Sequence, residues 1–307
     1  MNILLLDVDS KIPNLALMKI SAHHKKLGDT IWLNTPREIP DKIYASCIFP
    51  KNKARCNGML KMWGDITSEA GGSGISLDSR LPDHIEHIMP DYSLYGSDFS
   101  MGYTSRGCNR KCPWCIIPKK EGSIIEHAPI GEFLAPNHRN LVLLDNNFLA
   151  SPRWEEKVGE LIKLDVKVCF NQGLDIRLIN SYSASVISRM KCYDDQFKKR
   201  RIYFAYDTPQ VGSTVLDGIK ILEDAGIKRG WLMFYVLVGF NTSYREDLER
   251  IELLIKEDVM PYVMPFNDRP DSYYPHLERW VNGRFYKIVK WENYNSGTSQ
   301  KWIKEMG

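Results

Sequence analysis

No apolar run in the 307 residues reaches the roughly 18 needed to span a bilayer. Charge is nearly balanced too. The 41 Lys and Arg against 38 Asp and Glu leave +3, with a pI near 8.3, too weak to imply nucleic acid unaided, so that partner stays open. Internal repeats and low-complexity tracts are absent. The opening MNILLLDVDSK turns acidic after a short apolar run, so it reads as a buried strand rather than a signal peptide. With 43% hydrophobic and 26% charged residues, the composition is that of a soluble globular protein whose core needs no disulfide staples. A cytoplasmic location is expected. In that reducing compartment, clustered cysteines are more often metal ligands or catalysts than disulfides.

Hydrophobic periodicity then sets the fold expectation. NILLL reads as a buried parallel strand, residues 14–28 as a helix ended by Gly28, and DTIWLN as a second strand. KIYASCIFP supplies a third strand of this Rossmann-like beginning. From Phe99 onward, six strand-like segments (99–105, 140–148, 167–175, 201–207, 231–239 and 261–267) alternate with helical ones. That alternation predicts an α/β protein, a partial (β/α)6 TIM-like barrel preceded by a small Rossmann-like domain. The expected domains are 1–95, 96–270 and a C-terminal cap at 271–307. Working residues of such barrels sit at the C-terminal strand ends, here DNN, NQ, YD and GFN.

Three of the seven cysteines, Cys108, Cys112 and Cys115, fall within eight residues as C-x3-C-x2-C. This short spacing lets one loop face a small inorganic cluster with three thiolates. A cubane cluster ordinarily takes four cysteines, so three would leave one iron open to a small chelating molecule. Zinc binding and plain core packing compete with such a cluster. A zinc site could borrow a fourth ligand from Cys169 or a histidine, although no second C-x2-C half is present. Three core cysteines would fit poorly among Gly, Asn, Arg, Lys and Pro.

The loop, with Trp114 before its third cysteine and the lead-in TSRGC, resembles the signature of the radical S-adenosylmethionine (SAM) superfamily. The lead-in is similar to that of methylthiotransferases and of members carrying a cobalamin-binding-type domain. The resemblance covers about Phe99 to Asp268, and more faintly the N-terminal βαβ. It implies a [4Fe-4S] cluster on Cys108, Cys112 and Cys115 and SAM on the open iron. It also implies reductive cleavage to a 5′-deoxyadenosyl radical that abstracts hydrogen from a substrate. An electron donor such as flavodoxin or ferredoxin would be the partner. The protein would position the cofactor and exclude water.

The same resemblance points to SAM contacts. Asp145, Asn146 and Asn147 stand where the family has a Gly-Gly-Glu-like segment; they would grip the methionyl amine or simply make a turn. Arg177 would hold the methionyl carboxylate or pair with Asp175. Asp207 would accept from the ribose or cap a helix before Thr-Pro. Gly239 would lie beneath the adenine and Trp114 near its edge, unless Trp114 only shields the cluster. No catalytic residue is assigned, and no segment codes for a nucleotide, peptide or lipid substrate.

The N-terminal βαβ resembles a cobalamin-binding-type domain, which would imply cobalamin-dependent methyl transfer. The axial motif D-x-H-x-x-G is missing, and GGSG (Gly71–Gly74) is at most a remnant of a ligand-binding turn. A vestigial domain is therefore expected. His23 and His24 read as surface residues. Cys47, Cys56, Cys169 and Cys192 read as core rather than as an auxiliary cluster, which removes the sulfur source of a methylthiotransferase. The run Lys198–Arg201 reads as a solvated loop more readily than as a phosphate contact.

Overall fold

Residues Asn2–Asp7 form the central strand β1, as their unbroken apolar run requires. The computed structural model describes residues 1–266 and 273–294. The chain divides into two units, one of residues 1–111 with 115–144 and one of 112–114 with 145 onward.

In the first unit, helix α1 (Leu15–Lys26) follows β1, with the Asn14 side chain accepting the Leu17 N–H at 3.1 Å as its N-cap. Gly28 at φ +84 then turns the chain into β2 (Thr30–Leu33). Strand β3 (Lys42–Ser46), helix α2 (Lys53–Lys61) and strand β4 (Thr67–Gly71) complete a parallel sheet of order β2-β1-β3-β4. Leu17 and Ile20 pack on Ile3 and Leu5 on one face, while Cys56 packs with Leu4, Leu6 and Ile43 on the other. The Rossmann-like layering is thus realised. His24 departs from its surface expectation. It is 4% exposed, with Nδ1 2.7 Å from Asp29 and Nε2 3.1 Å from the Tyr44 hydroxyl.

After α3 (Asp83–Glu86), the expected first barrel strand is split. Its first part, β5 (Ser100–Gly102), lies parallel to β8 (Asn140–Leu143). Its second part, β6 (Ser105–Arg106), instead pairs antiparallel with β7 (Ile125–Glu126). Two short helices, α4 (Ile117–Lys120) and α5 (Ile130–Phe133), lie between.

The second unit is a run of βα repeats. Helix α6 (Trp154–Lys163) leads to β9 (Lys167–Phe170), then α7 (Ser181–Ser188), with a capping box from Asn180 and Ser183, and β10 (Lys191–Cys192) beside β9. Strand β11 (Ile202–Ala205), helix α8 (Gly212–Asp224), strand β12 (Leu232–Val238), helix α9 (Tyr244–Lys256) and strand β13 (Met260–Pro265) follow. Strands β11, β12 and β13 are parallel in that order, and a Leu174–Phe204 bridge connects the segment after β9 to β11. Burial alternates strictly along β12, and cross-strand pairs Tyr203–Tyr235 and Phe204–Phe234 stack at 5.5 and 5.3 Å.

All the expected strands are present in parallel sheets, but no sheet among the described residues closes on itself. Helix α10 (Tyr274–Asn282) carries the described part of the expected cap; residues 271–272 and 295–307 lie outside the described residues. Its Asn282 amide accepts from Val263 N–H at 2.8 Å and donates to Val263 C=O at 3.0 Å, satisfying β13 as a neighbouring strand would. No described helix is long and apolar enough to cross a membrane.

Candidate functional site

Cys108, Cys112 and Cys115 lie on the loop between β6 and α4, and the base of that loop is tied shut. Arg106 donates Nε to Glu121 Oε2 at 3.0 Å and Nη2 to Oε1 at 3.1 Å, a bidentate pair across the loop's two ends. The Cys108 N–H donates to Gly122 C=O at 3.1 Å. Gly107, at φ +84, is obligatory here because a Cβ would stand 2.3 Å from the Ser123 carbonyl oxygen. Arg106 Nη1 also reaches Glu86 Oε1 at 3.2 Å, where Lys19 Nζ (3.0 Å) and His127 Nε2 (3.1 Å) converge. Burial would raise the Glu86 pKa, but these three partners outweigh it and hold it at about 2.

The loop thiols are half-exposed, and two of them face backbone donors. Arg110 N–H points at Cys108 Sγ (3.3 Å) and Ile117 N–H at Cys115 Sγ (3.4 Å). Such donors stabilise thiolate charge and tune a bound cluster. The remaining four cysteines are buried, and the seven form no disulfide. Desolvation pushes Cys47 up to about 11 and Cys192 to about 12, and raises Cys56 and Cys169 as well. Thiols held protonated this way make poor metal ligands. The loop's donor chemistry therefore fits a three-thiolate cluster. In this structure, however, no three His, Cys, Asp or Glu side chains among the described residues are gathered to hold a metal ion.

Within the second unit, the strand-end residues converge. Trp114 rests edge-to-face on Phe240 at 5.4 Å, directly after Gly239 and the end of β12. Arg177 grips Asp175 through Nε (2.6 Å) and Nη2 (3.1 Å), and Asn147 Nδ2 reaches the same carboxylate at 3.4 Å. Desolvation lowers the Arg177 pKa, but Asp175, with smaller contributions from Cys112 and Asp207, raises it overall. Asp207 accepts the Leu237 N–H at 3.3 Å, and burial raises its pKa despite Arg250 and Arg177. Asp145 and Asn147 are buried and Asn146 is half-buried. Gly239, at φ +79, faces the Tyr274 ring, which a Cβ would meet at 2.7 Å. The glycine therefore allows close approach of Tyr274.

A scaffold that sequence reading passed over supports these ends. Asp247 accepts Gly239 N–H at 2.9 Å and Thr242 Oγ1 at 2.6 Å, and pairs with Arg250 at 2.5 Å. Arg250 in turn donates to the carbonyls of Tyr206 and Leu237, both at 2.7 Å, fixing the backbone on either side of Asp207's contact. Both residues lie in a stretch, YREDLERIELL, whose charges look like an ordinary solvated helix face.

At the carboxyl ends of the N-terminal sheet, the protein's own groups hold the loops together. In a sheet of this order, the ligand crevice lies where β1 and β3 diverge in connection. There Asp9 accepts from Ile48 N–H (2.7 Å), Phe49 N–H (2.9 Å) and Asn52 Nδ2 (2.9 Å), stapling the two loops together. Gly72 and Gly74 serve the protein's own packing, since a Cβ on either would strike Cys47 or Phe49 backbone within 3 Å.

No family model matches the chain, and no curated protein matches it. Among solved structures, it is similar to OxsB, a cobalamin-dependent S-adenosylmethionine radical enzyme, determined in apo, selenomethionine-labelled form. The TM-score is 0.54 at 11% identity, covering 99% of this chain and 56% of that one. This chain thus spans little over half that protein's length. The chain shares its fold, along nearly all of its own length, with a radical enzyme of that kind.

Proposed function

We propose that the chain is a radical SAM enzyme that binds a [4Fe-4S] cluster through Cys108, Cys112 and Cys115. The observation that carries this reading is the placement of the loop tip. Trp114 packs beside Gly239 on Phe240, at the strand end where Arg177 and Asp207 also stand. The fold shared with OxsB supports it. A cluster held by Cys108, Cys112 and Cys115 would supply the electron for reductive cleavage of SAM, with flavodoxin or ferredoxin as its electron donor.

The chain's own groups suit the rest of that cofactor. Asp145, Asn146 and Asn147 offer acceptors for an ammonium. Arg177, its plane fixed by Asp175, suits a carboxylate. Asp207 suits a ribose hydroxyl, and the Trp114–Phe240 pair offers an apolar edge to adenine. The test is anaerobic reconstitution, then SAM with a low-potential reductant. Formation of 5′-deoxyadenosine is expected; intact SAM beside a fully loaded, reduced cluster would refute the reading.

OxsB's cobalamin dependence favours a second reading, cobalamin-dependent chemistry, which the Asp9 staple opposes. Titration of hydroxocobalamin followed by absorbance separates the two. Unperturbed spectra are expected, and saturable perturbation would establish the second.

A further inference from the structure

Around its thiols the cysteine loop carries charge of one sign. From Gly107 to Lys120 there are four cations, Arg110, Lys111, Lys119 and Lys120, and no Asp or Glu, whereas the whole chain nets only +3. The first acid, Glu121, is 8% exposed and held bidentately by Arg106. Arg80 brings in a further cation, its Nη2 donating to the Lys120 carbonyl. Burial lowers the Lys120 pKa most; Glu121 raises it, and the like charges of Arg106 and Arg80 lower it again. Lys111 and Lys119 are exposed, and neither forms an ion pair among the described residues.

Apolar side chains stand among these cations. Ile116 is 46% exposed within the loop, and Ile125, paired with Arg106 at its base, is 58% exposed. The loop is closed at its base by the Cys108–Gly122 hydrogen bond, so its cations share one small surface. An apolar centre within a charged rim is the layout of a protein-docking surface. The thiols of the same loop are half-exposed, so a cluster on them would receive its electron from this side.

We propose that the outer face of this loop docks an acidic one-electron carrier protein, with Lys111 and Lys119 as steering charges and Ile116 at the contact. Complementary rim charges of this kind speed encounter and make it sensitive to salt. The proposal rests on the cluster reading. One electron would pass from the docked carrier, oxidised by one, to the cluster, reduced by one, with no bond made or broken. The same cations would attract a nucleic acid, but single strands are held by stacking on aromatic rings, and the exposed apolar residues here are aliphatic.

The test is calorimetric titration of the full chain with flavodoxin, an acidic flavin carrier, at about 50 and about 200 mM salt. Binding should weaken about tenfold over that range. Lys111→Glu combined with Lys119→Glu should weaken it about tenfold at the lower salt. Lys198→Glu with Lys199→Glu makes the same change in net charge at exposed positions elsewhere and should bind as wild type does. On reconstituted protein, bleaching at about 400 nm by reduced flavodoxin should slow about tenfold in the first variant, while titanium(III) citrate bleaches it at the wild-type rate. No binding, binding indifferent to salt, or equal loss in both variants would overturn the proposal. So would equal slowing with titanium(III) citrate, which would make the lysines part of the cluster's own environment, or a single-stranded RNA that binds tighter than flavodoxin. Docking that depends on these lysines in a chain that loads no cluster would keep the surface and retire the cluster reading.

Discussion

Replacing Glu86 by glutamine tests the charge network at the base of the cysteine loop. The Glu86 side chain is 16% exposed, and its pKa falls from an ordinary 4.5 to about 2. That gap, at about 1.4 kcal/mol per pH unit, corresponds to about 3 kcal/mol of folding stability at neutral pH. Because the folded-state pKa is depressed, the contribution is complete above pH 4.5 and is lost as pH falls through 2. Denaturant unfolding should therefore separate wild type from Glu86→Gln by about 3 kcal/mol at pH 7, narrowing to about 2 kcal/mol at pH 3.5. Arg106 keeps its bidentate hold on Glu121 in the variant, so the loop base should loosen without opening. A gap under about 1 kcal/mol at pH 7, or one that does not narrow in acid, would refute the reasoning.

Three further outcomes follow from the site. Asp207→Asn should melt above wild type at pH 7, because burial raises the Asp207 pKa. Its stabilising protonated form is fully present only below the ordinary carboxylate range and is lost as pH rises; equal melting at pH 7 would contradict this. Asp247→Ala leaves Arg250 buried without its carboxylate and should cost about 3–5 kcal/mol in denaturant unfolding. A loss below about 1 kcal/mol would remove the pair from the scaffold. Gly107→Ala must move the Ser123 carbonyl and adopt a left-handed backbone, so stability should drop by about 1–3 kcal/mol. An unchanged melting curve would mean that the loop base yields easily.

The strands and the cysteine loop were legible because their signals are local. NILLL and LMFYVLV are contiguous apolar runs, and the three thiols sit within one loop. Strand β4 escaped notice because its residues, TSEAG, form an exposed polar edge with no hydrophobic period. The split between β5 and β6 depends on pairing with β7, more than 15 residues away, which apolar pattern alone does not report. Arg106, Glu86, Asp247 and Arg250 were missed for a related reason. A charged residue in a network has the same local sequence as one in solvent, and only the fold brings its partners near. His24 and Arg201 show the converse, since each stands in a basic run that reads as surface yet is buried. Arg177 was legible as an either-or, and here its guanidinium holds Asp175.

The central claim is that Cys108, Cys112 and Cys115 hold an iron–sulfur cluster, and metal content after anaerobic reconstitution tests it most directly. Wild type should turn brown, absorb near 400 nm and contain about four iron and four sulfide per chain. The variant with all three cysteines changed to alanine should contain neither, while Cys169→Ala should load like wild type. A colourless protein carrying one zinc, or a triple variant that retains its iron and sulfide, would contradict the account.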